Sequence, residues 1–208
     1  YYSKNSLKTG AQAGLTASLR SLLPLRNKSL TEINSMLIKK PLPVLRNIAV
    51  EIHKCRAAQV VVTSSRAKLT SNDVARALAS YMQSDNMKVA IIDFSSRSKK
   101  LDIVVERLSV GSFIVFEHAD NVSTLRPDGD LMAMELLGQR DFWENIQSIN
   151  STFDLIFLCA DNDDAISLLN ALEGQGTFHI TLARTKKTKS VTITKMRSCL
   201  PIQGLLHD

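Results

Sequence analysis

Three short stretches of this chain hold residue types that phosphate chemistry uses, and each follows an apolar run. The first is Thr63-Ser64-Ser65-Arg66-Ala67-Lys68-Leu69-Thr70-Ser71-Asn72, set between Val60-Val61-Val62 and a helical pattern over 74–82. The second is Asp93-Phe94-Ser95-Ser96-Arg97, after Val89-Ala90-Ile91-Ile92. The third is Cys159-Ala160-Asp161, after Leu155-Ile156-Phe157-Leu158. A strand–loop–helix setting suits a phosphate-binding loop. Backbone N–H groups at the helix start receive phosphate oxygens, a lysine reaches the outer phosphates, and a Ser or Thr hydroxyl holds magnesium. The general pattern is G-x-x-x-x-G-K-[ST]. Here the framing is right, but the loop has no glycine and no lysine directly ahead of the helix. Ser64, Ser65, Arg66, Lys68, Thr70, Ser71 and Asn72 are the candidate anion-binding residues of this altered loop. Asp93, Arg97 and Cys159 are the candidates at the other two strand ends.

The elements that position these residues read as alternating strands and helices. Val60-Val61-Val62 and Val89-Ala90-Ile91-Ile92 are short, wholly apolar runs, the pattern of parallel strands buried on both faces. Between them Val74, Ala75, Leu78, Ala79 and Met82 share one helical face. Further on, residues 131–150 read as helix, 155–159 as strand, 165–173 as helix, Phe178–Ala183 as strand, 188–199 as helix and 201–206 as a last short strand. This alternation predicts a three-layer α/β/α fold with a mainly parallel sheet. Ligands of such sheets bind at the carboxyl ends of the strands, where the three stretches fall. Ahead of them, a helix is expected after Pro43, because Val44, Leu45, Ile48, Ala49, Ile52 and Cys55 repeat at helical spacing. Residues 1–40 read as an N-terminal arm or linker with short elements at Leu19–Leu25 and Leu30–Lys39, and residues 41–208 as the α/β domain.

Composition bounds the function. The 208 residues are 44% hydrophobic, enough for a sizeable core. Cys55, Cys159 and Cys199 are sparse and odd in number, which fits a reducing compartment rather than a disulfide framework. His53, His118, His179 and His207 are scattered, so no metal site is expected. No apolar run reaches the roughly 18 residues of a membrane span, and no signal peptide is visible. The chain opens on Tyr1-Tyr2, so it reads as part of a longer protein that has room for a membrane segment elsewhere. Charge is uneven: net +12 over residues 1–100, −11 over 101–173 and +5 over 174–208. Solvated surface charge is the favoured explanation. The alternatives are a basic face for an anionic partner and head-to-tail contacts between copies. Aromatics are 5% and do not interleave with the bases, so nucleic acid is not favoured.

At the three strand ends the sequence resembles a known family. It is similar to the cytoplasmic ATPase-like domain of bacterial tyrosine kinases and polysaccharide co-polymerases, relatives of the MinD/ParA ATPases. That family reads T-S-x-x-P-G-E-G-K-[ST]-T-x-x-A-x-x-L-A. Thr63-Ser64-Ser65-Arg66 matches its start, and Val74-Ala75-Arg76-Ala77-Leu78-Ala79 matches its helix. With no gap, Pro-Gly-Glu-Gly-Lys-Ser-Thr falls on Ala67-Lys68-Leu69-Thr70-Ser71-Asn72-Asp73. The family's second strand ends in Asp-x-Asp followed by Arg; here Asp93 and Arg97 match and Ser95 replaces the second Asp. Its third reads Tyr-Asp-x-x-Ile-Ile-Asp-x-Pro-Pro; here Phe153–Asn162 keeps the strand, with Cys159 in place of the magnesium-linked Asp. The likeness covers roughly residues 40–208 and lies in order and spacing, since no single motif is intact.

The resemblance implies P-loop NTPase ancestry and a cytoplasmic location at the inner-membrane face. The losses imply a pseudo-ATPase: a non-catalytic domain of an exopolysaccharide biosynthesis and transport protein, regulating chain length through assembly. Its expected partners are further copies of itself or membrane-embedded export proteins, and the basic run 184–189 is a candidate contact for an anionic membrane surface. No cofactor is expected, because side chains replace the glycines and Asn72, Ser95 and Cys159 suit magnesium poorly. Thr70 and Asp73 read instead as a capping box, placing a carboxylate where phosphate would otherwise sit. Two alternatives stand beside this one. One is a divergent ATPase or tyrosine kinase using Lys68 or Lys99. The other is a MinD/ParA-like pseudo-ATPase that positions other machinery. A smaller anion held by Arg66, Lys68 and loop N–H groups is compatible with any of them. The family's E-x-x-R-x-x-R assembly motif survives only at Arg46, with Pro43 and Ala49 in the other places.

Overall fold

The computed structural model describes residues 15–65, 69–82, 87–94, 109–110, 113–119, 121–127, 135, 137–172, 178–183 and 204–207. Its strands are β1 (Leu15–Ser18), β2 (Gln59–Ser65), β3 (Val89–Asp93), β4 (Ser109–Val110), β5 (Phe113–Ala119), β6 (Val122–Pro127), β7 (Leu155–Asp161), β8 (Phe178–Ala183) and β9 (Gly204–His207). Among the described residues they form one sheet in the order β1-β9-β8-β2-β7-β3-β6-β5-β4. All neighbours from β1 through β6 pair in parallel, and the β6–β5 and β5–β4 pairs are antiparallel. The three strands that carry candidate residues, β2, β7 and β3, lie side by side in its middle.

These central strands are apolar on both faces because helices cover both. Val60, Val62, Val89, Ile91, Leu155 and Phe157 point to one side. There they meet α1 (Leu30–Lys39), α2 (Pro43–Lys54) and α3 (Ser71–Met82). Val61, Ala90, Ile92, Ile156 and Leu158 point to the other side, against α4 (Arg140–Thr152) and α5 (Asn162–Ala171). The period-two alternation of the strands thus divides one sheet between two cores. The result is the expected three-layer α/β/α arrangement with a mainly parallel sheet. No helix of the described residues is long and apolar enough to cross a membrane.

Several boundaries differ from the sequence reading. The expected arm is tied into the domain: β1 pairs with β9, and Leu22, Leu25, Leu30, Ile33 and Leu37 share a core with Val60 and Val62. The short elements at Leu19–Leu25 and Leu30–Lys39 stand where expected, as a 3-10 helix and as α1. The helix expected over 131–150 runs over Arg140–Thr152, entered from an extended Gln139; residues 131–134 lie outside the described residues. The helix expected over 165–173 starts three residues earlier, at Asn162. The last strand covers Gly204–His207 rather than 201–206, and the helix expected over 188–199 lies outside the described residues. The β5–β6 hairpin has no clear signal in the sequence. Glu117 and His118 interrupt the apolar pattern of β5, and a register shift falls between Val115 and Glu117; a bulge of this kind breaks simple alternation.

Besides the shared core, a hydrogen-bonding side chain of α3 holds the start of α2. The Leu42 N–H donates to Tyr81 Oη (2.6 Å), and the hydroxyl donates to the Leu42 carbonyl (3.3 Å). Removing that hydroxyl leaves a partly buried N–H at the start of α2 without this acceptor. Tyr81→Phe is therefore expected to lower unfolding free energy by about 0.5–1.5 kcal/mol, read as a lower urea midpoint at unchanged m-value.

Candidate functional site

The candidate residues converge at the carboxyl ends of β2, β7 and β3, around the start of α3. Strand β2 ends in Thr63-Ser64-Ser65, all buried. The Ser64 hydroxyl donates to the Leu69 carbonyl (3.1 Å), drawing together the two ends of the loop. Arg66 and Lys68 lie inside that loop, outside the described residues, as does Arg97. Ser71, Asn72 and Asp73 open α3 and are buried.

The start of α3 is satisfied by carboxylates. The Asp73 N–H donates to Thr70 Oγ1 (3.1 Å), and the Thr70 N–H donates to Asp73 Oδ2 (3.0 Å). This is the reciprocal capping box that the sequence predicts. The other Asp73 oxygen accepts from the Asn27 N–H (3.1 Å), which brings in the turn before α1. The Ser71 N–H donates to Asp161 Oδ1 at the end of β7 (2.9 Å). A helix start carries partial positive charge and unpaired N–H groups, so it attracts anions. At α3 two of the chain's own carboxylates take those positions. The Ser71 hydroxyl itself is buried and finds no hydrogen-bond partner among the described residues.

Beneath the helix start runs a second, connected set of polar groups. Asn72 Nδ2 donates to Asp93 Oδ2 (2.6 Å), and Asn72 Oδ1 accepts from Arg76 Nε (3.0 Å). Arg76 Nη1 donates to the Lys28 carbonyl (2.9 Å). Arg126 on β6 brings Nη2 to 4.0 Å from Asp93 Oδ2. Burial lowers the Arg126 pKa below its usual value, Asp93 opposes that shift, and Arg76 adds to it. Asp93, the surviving strand-end acid, is therefore held by an amide on α3 and faces a guanidinium on β6. Buried charges persist when they are paired in this way.

Cys159 pairs in register with Asp93 across β7 and β3 and is fully buried. Burial pushes its thiol well above the usual range, the nearby Asp93 and Asp161 carboxylates push it further, and Arg76 opposes them. It sits in the core as a small buried side chain. A further polar cluster lies between β2 and β8, where His179 Nε2 is 3.0 Å from Thr63 Oγ1 and 3.1 Å from Thr181 Oγ1. A cavity of about 260 Å³ lies at the opposite ends of the strands, between Ile52, Arg56, Met82, Met87 and Leu155. No candidate residue lines it.

The structure thus brings Ser64, Ser65, Thr70, Ser71, Asn72, Asp93 and Cys159 together at the carboxyl ends of the central strands and the start of α3. Sequence reasoning gave no role to three residues that organise it: Asp161, Arg76 and Arg126. A signal existed for Arg76, a charged residue flanked by Ala75 and Ala77 in a helix buried on several sides.

The fold has solved counterparts. The fold is that of bacterial tyrosine kinase domains. The kinase domain of the Escherichia coli tyrosine kinase ETK superposes with a TM-score of 0.65 at 13% identity, over 93% of this chain and 88% of that one. The chimerical protein CapA2B2 superposes with a TM-score of 0.63 at 17% identity, over 94% and 95%. The BceF tyrosine kinase domain does so at 0.60 and 13%, over 98% and 85%. No family model and no curated protein matches the chain.

The Cys159 shift sets a pH dependence with a definite sign. A thiol whose folded pKa lies above its unfolded value keeps its proton when the unfolded chain loses it. The stabilisation is complete below the unfolded pKa of about 9 and is lost as pH rises from there. Between pH 8 and 10 the wild type is expected to lose stability more steeply than Cys159→Ala. The excess approaches about 1.4 kcal/mol per pH unit above the unfolded pKa. Urea unfolding of both proteins across that range is the check, the difference in slope being the quantity read.

Proposed function

We propose that this domain is a pseudo-ATPase: a kinase-like scaffold that acts by assembly within an exopolysaccharide biosynthesis and transport protein, without hydrolysing ATP. The observation that carries this reading is the occupation of the α3 start by Asp73 and Asp161. Their carboxylates already accept from the Thr70 and Ser71 N–H groups, and a triphosphate brought there would meet two negative charges. The remaining groups point the same way. Ser71 stands where the resemblance puts the phosphate-binding lysine, and it brings no charge. Asn72 stands where a magnesium-binding hydroxyl is expected, and its amide is engaged by Asp93 and Arg76. Cys159 stands where a magnesium-linked Asp is expected, and its buried thiol holds its proton. These residues do not fit MgATP, so no catalytic step is assigned to them.

The link to polysaccharide export rests on the resemblance over residues 40–208, supported by the shared fold. On this reading the domain works at the cytoplasmic face of the membrane, and its partners are further copies or membrane-embedded export proteins. The uneven charge along the sequence supports contacts between unlike surfaces. A second reading, a divergent tyrosine kinase, is favoured by the fold alone, since the solved counterparts include tyrosine kinase domains. Calorimetric titration with MgATP separates the two. The pseudo-ATPase reading expects no binding heat up to millimolar nucleotide, and an affinity in the micromolar range overturns it. ATP turnover that is present in the wild type and absent in Lys68→Ala would support a divergent ATPase or tyrosine kinase in its place.

A further inference from the structure

We propose that the cavity at the amino ends of β2, β3 and β7 binds a free α-amino acid with an apolar side chain. Its inner wall is apolar. Ile52 and Met82, from the last turns of α2 and α3, and Leu155, the first residue of β7, are buried there, and Met87 packs against the same core. Methionine side chains adapt their shape to what they meet. The cavity volume of about 260 Å³ is the room of roughly nine waters at about 30 Å³ each. That suits one small molecule and falls below the roughly 300–1,000 Å³ of sites for drug-sized ligands.

Two exposed residues of opposite charge, Arg56 and Asp154, line the same cavity and do not neutralise each other. They form no ion pair, and among the described residues the Arg56 guanidinium has no hydrogen-bond or ion-pair partner. Asp154 Oδ2 accepts from the Lys88 N–H (2.8 Å), which holds the carboxylate in place, and among the described residues Oδ1 is not engaged. A solvated surface arginine is ordinary, but the backbone of this one is not. The Arg56 N–H donates to the His53 carbonyl (3.0 Å) and the Ala57 N–H to the Ile52 carbonyl (3.4 Å), the pair of bonds that ends a helix on a left-handed residue. Arg56 takes that place with φ 50°. Glycine adopts it freely, whereas any residue with a Cβ carries strain. Strain of this kind gathers at ligand sites, and here it falls on the cation of the cavity.

An apolar interior with a cation and an anion at its mouth matches a zwitterion. The ligand carboxylate goes to Arg56, its ammonium to Asp154 Oδ1, and its side chain to Met82, Met87 and Leu155. A fatty acid would bring its negative charge beside Asp154, and an apolar amine its positive charge beside Arg56. A peptide end carries only one of the two charges next to its terminal side chain. The cavity lies at the end of the sheet opposite Asp93 and Cys159, so the inference stands whether or not the domain binds MgATP.

The test is titration of the full 208-residue chain, labelled at its methionine methyl groups, with L-leucine and L-phenylalanine, followed by NMR. The Met82 and Met87 signals are expected to shift saturably, with a dissociation constant of roughly 1 mM or tighter. N-acetyl-leucine, which lacks the ammonium, and leucinamide, which lacks the carboxylate, are each expected to bind more than tenfold more weakly. Arg56→Gly is expected to weaken binding of the free amino acids more than tenfold while leaving the thermal midpoint equal or higher, because glycine relieves the strain. Asp154→Asn keeps an acceptor for the Lys88 N–H and is expected to weaken binding by a similar factor. Absence of a saturable shift with either amino acid up to about 10 mM overturns the inference. So does binding of N-acetyl-leucine or leucinamide as tight as that of leucine, or binding that either substitution leaves unchanged.

Discussion

The start of α3 is the point on which the upper half of this molecule depends. A helix begins there with N–H groups that no backbone carbonyl can reach, in a place closed off by three strand ends. Buried groups of this kind must find acceptors, and the chain supplies them from Thr70, Asp73 and Asp161. Such carboxylate–helix contacts contribute about 0.3–1 kcal/mol each on a surface and up to about 2 kcal/mol when partly buried. Their positions matter more than their sum. Asp161 ties α3 to β7, and Asp73 ties it to the turn before α1 through the Asn27 N–H. Asn72 and Arg76 extend the same connection to β3 and to the Lys28 carbonyl. One helix start therefore joins the central strands to the N-terminal segment.

On the pseudo-ATPase reading proposed above, that economy is also a physical account of how a nucleotide-type site could persist without its nucleotide. In this topology the strand ends leave a concave place with polar backbone groups pointing into it. If an anion no longer fills it, side chains must, or the buried N–H groups lose their partners at a cost of about 1–3 kcal/mol apiece. Asp73 and Asp161 do this with charge of the right sign, and Arg76 and Arg126 offset the charge that accumulates beneath. The buried network has the character of a filled socket.

What could be read ahead of the structure follows the range of each interaction. The central strands were legible because burial on both faces forces continuous apolar runs such as Val89-Ala90-Ile91-Ile92. The capping box was legible because Thr70 and Asp73 are three residues apart and answer to local geometry. Asp161, which reaches back 90 residues to Ser71, has no local signature. The same holds for Arg76, whose partner carbonyl at Lys28 is 48 residues away. The hairpin of β5 and β6 was hidden for another reason, since its charged residues and register shift erase the alternation that marks a strand. The N-terminal segment was hidden by brevity: β1 has four residues, too few to show a period.

The pairing of β1 with β9 has a consequence for how the chain reaches this state. Leu15 is in register with Gly204, so one edge of the sheet joins segments almost the whole sequence apart. Loop-closure entropy grows only slowly with such a separation, but contacts of this range slow folding. During synthesis β1 emerges well before its partner strand β9. The sheet can therefore grow around β2, β3 and β7 while β1 waits with its backbone groups unpaired. Closure of that edge is a late event in the folding of this sheet, because it must wait until β9 has left the ribosome.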